Sequence, residues 1–364
     1  MKKQIKRIVL WVNILFALAL SGAYAANYIN PEYFWYFAFL GLAYPILLII
    51  NVCFIVFWLW RKKWLFLISL ATILLGWQNV GKIMQIRFFQ PYPVTGEKVN
   101  LLSYNVRAFN FYQWENNTSV CDSILYFIRN QHTGIVFFQE FLTTSNVPMH
   151  TEKHIDTLLQ LLPYKHIFYT YKTSEYSSYG LATYSRYPIV KKGSIRFKNS
   201  YNACIYSDIK IGSDTIRFFN VHLQSVKLRK DNYWLVDSPA LRIDSRRINE
   251  VKDISGRLKL AYIKRAQQVD ELSWYLRRSP YPVIICGDFN DTPISYTYTR
   301  IRGKLADAFL SSGRGAGSTY RGISPSFRID FIFHSKSIES SGYQTHAVEL
   351  SDHTPISCEL TLHP

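Results

Sequence analysis

Three apolar stretches in the first ninety residues limit what this chain can fold into more than anything else in it. Residues 8–26 carry no charge over 19 positions, residues 33–60 none over 28, and residues 64–81 none over 18. A helix needs about 20 such residues to cross a bilayer, so the second is amply long and the other two just suffice. None shows a polar face, which sets them apart from the amphipathic helices of a soluble core. Trp35, Trp58, Trp60, Trp64 and Trp77 lie near the ends of the second and third stretches, where such rings favour the headgroup region. Pro45 is tolerable inside the second, because neighbouring helices can satisfy freed backbone groups. We expect a membrane region over residues 1–90 with transmembrane helices at 8–26, 33–60 and 64–83.

Orientation follows from the basic residues. Lys2, Lys3, Lys6 and Arg7 precede the first stretch, Arg61-Lys62-Lys63 follow the second, and residues 27–32 hold no Lys or Arg. The positive-inside rule makes the N-terminus and the 61–63 loop cytoplasmic. Three crossings then place the rest outside the cytoplasm, in a multi-pass protein of the inner or plasma membrane. A third stretch lying only in the interface would reverse that placement. The start also has the layout of a signal peptide, with Ala23-Tyr24-Ala25 as the candidate cleavage site. Cleavage would leave two helices and the same placement.

Charge and composition divide at the same point. Residues 1–90 hold nine Lys/Arg against the single acid Glu32, and residues 91–364 hold 33 against 24, which together make the net +17. All nine histidines fall in the second part, so the chemistry belongs there. The overall composition excludes a disordered chain, a collagen and a small disulfide scaffold. Cys121, Cys204, Cys286 and Cys358 sit in apolar contexts without a CxxC spacing, the pattern of buried free thiols.

Residues 91–98, beginning Pro91-Tyr92-Pro93, read as a linker, and residues 99–364 as one catalytic domain. Strands are expected at 99–106, 135–139, 166–171, 181–184, 189–197, 203–209, 216–222, 283–286, 329–333 and 356–362. Helices are expected at 120–130, 153–162 and 258–277; in the last, Ile263, Ala266, Val269, Leu272 and Leu276 form a core-facing stripe. Many strands with few helices between them imply an α/β fold, a two-sheet sandwich flanked by helices.

Polar residues gather at the ends of those strands: Ser103-Tyr104-Asn105, Gln139-Glu140, Asn220-Val221-His222-Leu223-Gln224, Gly287-Asp288-Phe289-Asn290, Arg328-Ile329-Asp330-Phe331-Ile332 and Ser351-Asp352-His353-Thr354-Pro355-Ile356. Any one has a bland explanation, since Asn and Asp end strands by making turns. Six together point to one edge of a sandwich where carboxylates, amides and imidazoles meet. In this order they resemble the endonuclease/exonuclease/phosphatase superfamily, over roughly three quarters of the chain. The GDFN run with the later SDHTPI is the specific part. The resemblance implies a deoxyribonuclease I-like sandwich and Mg²⁺-dependent hydrolysis of phosphate esters, with Mn²⁺ as a substitute.

A phosphodiester repels nucleophiles, so its hydrolysis needs charge neutralisation and an oriented water. Glu140 is the leading metal ligand, because hard cations prefer carboxylate oxygen, with Asn105 and Asp352 as further oxygens. Asp288 would orient or deprotonate the water, and Asn290 would hold that water or a phosphate oxygen. His222 and His353 would donate to the non-bridging oxygens, and Asp330 would fix the His353 tautomer. A salt bridge to Arg328 is the bland alternative for Asp330.

The substrate is less legible. The sequence around GDFN and RIDF departs from the inositol-phosphatase pattern and is closer to nuclease-, deadenylase- and sphingomyelinase-like members. Residues 227–265 hold eleven Lys/Arg against five acids. That stretch suits a solvated helical insertion, a surface tracking nucleic acid, or a patch for anionic lipid headgroups. The Gly-rich run 311–320 lacks the order of a nucleotide-binding P-loop; we expect a flexible loop at the site's rim, with Arg314 as a phosphate contact. Three readings follow: a membrane-anchored nuclease or phosphodiesterase, a sphingomyelinase-like lipid phosphodiesterase, or a catalytically inactive polyanion-binding domain. No protein partner can be inferred.

Overall fold

A computed structural model describes residues 3–87, 96–112, 120–226, 245–322 and 326–362. The 91–95 part of the expected linker and residues 227–244 of the basic 227–265 stretch lie outside them.

The first apolar stretch forms helix α1 (Lys3–Ala25), which is long and apolar enough to cross a membrane alone. The second is not one helix. It breaks into α2 (Pro31–Phe34), α3 (Tyr36–Leu42) and α4 (Tyr44–Trp60), with 66° between α3 and α4. Pro45 accounts for the break: it has no N–H for the preceding turn and starts a new helix instead. The third bends by 69° at Gly76, between α5 (Phe66–Leu75) and α6 (Trp77–Ile83). Each bent pair would make a further span if it crosses as one unit.

The expectation of no polar face needs correcting. Asn13, Asn51 and Ser69 are buried between the helices. Asn13 Nδ2 donates to Ser69 Oγ at 2.7 Å, Ser69 Oγ to Asn51 Oδ1 at 2.8 Å, and Trp58 Nε1 to Asn13 Oδ1 at 3.0 Å. Outward, Leu15, Leu18, Ile49, Val56 and Leu75 stand exposed. Polar inside and apolar outside is the reverse of a water-soluble bundle. Each stretch has too few polar positions for the pattern to show in one dimension.

The rest of the described chain is a sandwich of two six-stranded sheets. One contains β1 (Glu97–Asn105), β2 (Ile135–Thr144), β3 (Tyr164–Lys172), β4 (Ser177–Ser185), β11 (Ile338–Thr345) and β12 (Ile356–Leu362), in the order β11-β12-β1-β2-β4-β3. The other contains β5 (Ile189–Arg196), β6 (Ala203–Ile211), β7 (Asp214–His222), β8 (Val283–Asp288), β9 (Ala306–Asp307) and β10 (Asp330–His334), in the order β5-β6-β7-β8-β10-β9. Their facing sides bury Leu101, Phe137, Phe218, Ile284, Ile332 and Ile356. Helices α7 (Val120–Asn130) and α8 (Glu152–Leu158) cover the first sheet. The long α9 (Ser245–Arg277) covers the second through Val269 and Leu272. Each sheet has one parallel pair at its centre, β1 with β2 and β7 with β8. Parallel neighbours end at the same edge, which gathers the polar strand ends.

The N-terminal helices are bonded to the sandwich. Gln267 Nε2 donates to Glu32 Oε1 at 2.5 Å, Thr299 Oγ1 to Asn27 Oδ1 at 3.2 Å, and Arg328 Nη2 to the Lys82 carbonyl at 3.0 Å. Gln85 and Gly315 exchange backbone hydrogen bonds at 2.9 Å. The Gly-rich run therefore ties the two parts together through Gly315, while Tyr320 at its end lines the cavity described below, where Arg314 is not among the lining residues. All five cysteines are free, four of them buried.

Candidate active site

Strand register sets the centre of the site. His222 on β7 pairs with Asp288 on β8, and Asp288 pairs with Asp330 on β10. Three consecutive strands thus place one titratable residue each in a row across the sheet. Gly287 makes this possible. Its φ is +137° and an added Cβ would collide with the Val221 carbonyl, so only glycine lets β8 lie this close to β7. Asn290, with φ 53°, turns back so that its backbone N–H reaches Asp288 Oδ1 at 2.8 Å and its amide reaches Oδ2 at 3.0 Å.

The other sheet supplies Asn105, Glu140, Asp352 and His353. Glu140 occupies a bulge in β2, where the pairing with β4 shifts between Phe138 and Phe141, and its φ is 53°. A non-glycine residue held there is strained, and such strain collects at functional sites. The bulge carries the carboxylate towards β8: Asn105 Nδ2 donates to Glu140 Oε1 at 3.3 Å and to Asp288 Oδ2 at 3.0 Å. Asn105 Oδ1 accepts from Arg107 N at 3.0 Å, so in this arrangement the amide links two carboxylates through its nitrogen. His353 Nδ1 lies 2.9 Å from Asp330 Oδ2, and its Nε2 lies 3.8 Å from Asp288 Oδ2. Thr319 Oγ1 accepts from the Asp330 N–H at 3.1 Å and holds that strand end. Arg328 pairs with Asp307 at 3.0 Å, which leaves Asp330 to His353.

Burial raises the Asp288 carboxyl to about 6, with Asp330 adding to the rise and His353 and His222 opposing it. Burial pushes the His353 imidazolium down, but Asp330 and Asp288 outweigh it and lift it to about 10. His222 is pushed down, chiefly by burial. At neutral pH the site therefore holds an ionised Asp288 between one neutral and one charged imidazole.

These residues fit a divalent cation. Burial raises Glu140 above the usual carboxylate range, so the protein alone compensates its charge poorly, and a cation would reverse that. Asp352, at the rim, has Oδ2 3.4 Å from Arg107 Nε. His222 Nε2 is buried without a hydrogen-bond partner, 3.6 Å from Asp288 Oδ2 and 3.8 Å from Glu140 Oε1. A buried orphan of this kind points to a missing anionic or polar ligand. Asp288, Asp330 and His353 also bring ligand atoms within 4.8 Å of one another. With His353 a cation bonded to Asp330, that trio suits proton handling better than metal binding.

A cavity of about 450 Å³ opens over this edge, lined by Glu140, Asp288, Asn290, Asp352 and His353. It has further lining residues that the sequence did not single out for the site. Arg107 follows the first strand-end motif directly, which was its one available signal. Arg265 and Asp291 form a buried pair at 3.2 Å under the floor. Tyr179, from β4, opposes the rise of the Glu140 carboxyl, and nothing in its sequence neighbourhood marks it.

A model of the Endonuclease/Exonuclease/phosphatase family matches residues 102–353, and a model of a domain of unknown function matches residues 6–83. The chain is similar to the solved endonuclease/exonuclease/phosphatase from Beutenbergia cavernae, at 16% identity and a TM-score of 0.54, over 73% of this chain and 72% of that one. The endonuclease/exonuclease/phosphatase from Bacteroides vulgatus matches at 16% identity and a TM-score of 0.52, over 73% and 100%. A family protein from Bacteroides thetaiotaomicron matches at 17% and 0.51, over 74% and 100%. At these identities the likeness shows the fold. Among curated proteins no relative matches.

Proposed function

The chain belongs to the endonuclease/exonuclease/phosphatase family, and from that premise we propose that it is a membrane-anchored, metal-dependent hydrolase of phosphate esters. The observation that carries this reading is the row His222–Asp288–Asp330, closed by His353 from the opposite sheet.

In this reading Asp288, ionised above about pH 6, takes a proton from water. The water oxygen forms a new bond to phosphorus as the ester P–O bond opposite it breaks. The departing alcohol oxygen takes a proton from solvent, and Asp288 returns the one it took to solvent, so no net proton is consumed. Asn290 keeps Asp288 oriented, and Asp330 holds His353 as a cation whose Nε2 faces the charge building on the phosphate oxygens. His222, with its unpartnered Nε2, donates beside it. Glu140 and Asp352 would hold Mg²⁺ or Mn²⁺, with Asn105 fixing Glu140. The ion, when bound, neutralises phosphate charge and favours attack.

We further propose the division into a membrane region (1–90), a linker (91–98, of which Glu97 and Lys98 already form the start of β1) and a catalytic domain (99–364), the last on the extracytoplasmic side. Supporting three crossings, the third stretch ends beside the end of the first: Tyr24 Oη donates to the Thr72 carbonyl at 3.0 Å, and Lys82 Nζ to Asn27 Oδ1 at 2.9 Å. A reporter active only outside the cytoplasm, fused after residue 90, should be active; activity confined to a cytoplasmic reporter would contradict the topology. Hydrolysis of bis-p-nitrophenyl phosphate, abolished by chelator and by Asp288→Asn, tests the chemistry. Its absence in every condition would leave the inactive polyanion-binding domain.

A further inference from the structure

We propose that the substrate is a phosphate ester of a membrane lipid, taken directly from the bilayer along a wall built by α3 and α9; this rests on the hydrolase reading above. Leu42, the last residue of α3, lines the same cavity as Asp288 and His353. It stands at the 66° bend that leads into α4, so the catalytic cavity and the apolar bundle share a side chain.

The neighbouring wall comes from α9. Ile254, Leu258 and Tyr262 line the cavity, and Ile248 and Val251, 45% and 54% exposed, extend the same stripe outward. Spacings of three and four put all five on one face of the helix. Further along, that face is core, through Val269 and Leu272; in the first turns it covers no core. This half of α9 runs beside the start of the bent membrane segment. The Phe39 ring lies 5.7 Å from Tyr262, and Lys259 Nζ lies 4.9 Å from the Trp35 ring. A helix with an open apolar stripe and lysines around it, set against such a segment, has the character of an interfacial helix.

The trough therefore has an acidic and imidazole end that takes phosphate and an apolar end that meets hydrocarbon. An amphiphile with a phosphate ester fills both. Nucleic acid would fill only the first. Single strands need a continuous cationic track with stacking aromatics; the cavity does hold Arg107, Tyr262, Tyr320 and Phe327, but on the α9 side Leu42, Ile254 and Leu258 present apolar surface instead.

The test uses the full chain reconstituted with Mg²⁺ in vesicles of phosphatidylethanolamine, phosphatidylglycerol, phosphatidic acid and sphingomyelin. Mass spectrometry follows phosphate-bearing products and inorganic phosphate. Bis-p-nitrophenyl phosphate and a single-stranded oligonucleotide run in parallel. The expected result is lipid turnover above the Asp288→Asn background. Leu258→Asp should lower the ratio of lipid to soluble-ester turnover at least tenfold, with the soluble ester serving as the check that the variant folds. Cleavage of the soluble ester or oligonucleotide without lipid turnover would overturn this inference and leave the hydrolase reading standing. An unchanged ratio in Leu258→Asp would overturn it as well. No hydrolysis of any probe would overturn both.

Discussion

Asp288 is buried where its charge is unwelcome. Its folded-state pKa, about 6, lies above the ordinary 3.8, so its contribution favours the folded state at low pH and is lost as pH rises through 6. Ionised Asp288 therefore costs stability at pH 7–8 in the metal-free protein. Asp288→Asn should raise the Tm there, by a gain that shrinks towards pH 5, while abolishing hydrolysis. An unchanged or lower Tm at pH 8 would contradict this. His353 makes the converse case, because its proton is held by Asp330 against burial. In Asp330→Asn the His353 pKa should fall from about 10, with Asp288 left to oppose burial, read by NMR of the imidazole in metal-free protein. A pKa still near 10 would show that Asp330 is not the cause. The site's residues were legible because each ends an apolar strand. Tyr179 and Arg265 were not, since a tyrosine in a tyrosine-rich strand and an arginine in a basic helix look like their surroundings.

At the scale of elements, the ten strands expected from the sequence all form, and the Ile338–Thr345 strand and the two-residue Ala306–Asp307 strand were missed. The run of Ser, Gly and Gln in the longer one carries too little alternation for an edge strand whose burial is partial. Helix α9 starts at Ser245 rather than near 258: Ile248, Val251 and Ile254 continue its apolar spacing, but they lie among so many charged residues that the stretch looks like a basic insertion. The break before Pro45 leaves α3 free to lie against the sandwich, and Gly41 shows how closely. A Cβ there would collide with the Ile294 carbonyl. Gly41→Val should loosen that docking, seen as faster amide exchange across residues 36–42 and 291–297 in the reconstituted chain. Unchanged exchange in both segments would mean that the contact is not holding the parts together.

For the molecule as a whole, the change at about residue 90 in charge and hydropathy is plain in the sequence, but the contacts between the parts on either side of it are not. The joining rests on single contacts such as Glu32 with Gln267 and Lys82 with Arg328, far apart in sequence and individually ordinary. The same holds for the Asn13–Ser69–Asn51 network, whose members are isolated polar residues in apolar runs. What unites both parts is the cavity itself, where Leu42 from the bent helical part lines the same walls as Asp288, Glu140, Asp352 and His353 from the sandwich. The most direct measurement is hydrolysis of bis-p-nitrophenyl phosphate by the reconstituted full chain, with Mg²⁺ and with chelator, in the native protein and in His353→Ala. The account predicts turnover that needs Mg²⁺ and falls by about 100-fold or more in the variant, the usual loss when one donor to transition-state charge is removed. Turnover that persists in chelator, or is retained in His353→Ala, would contradict it.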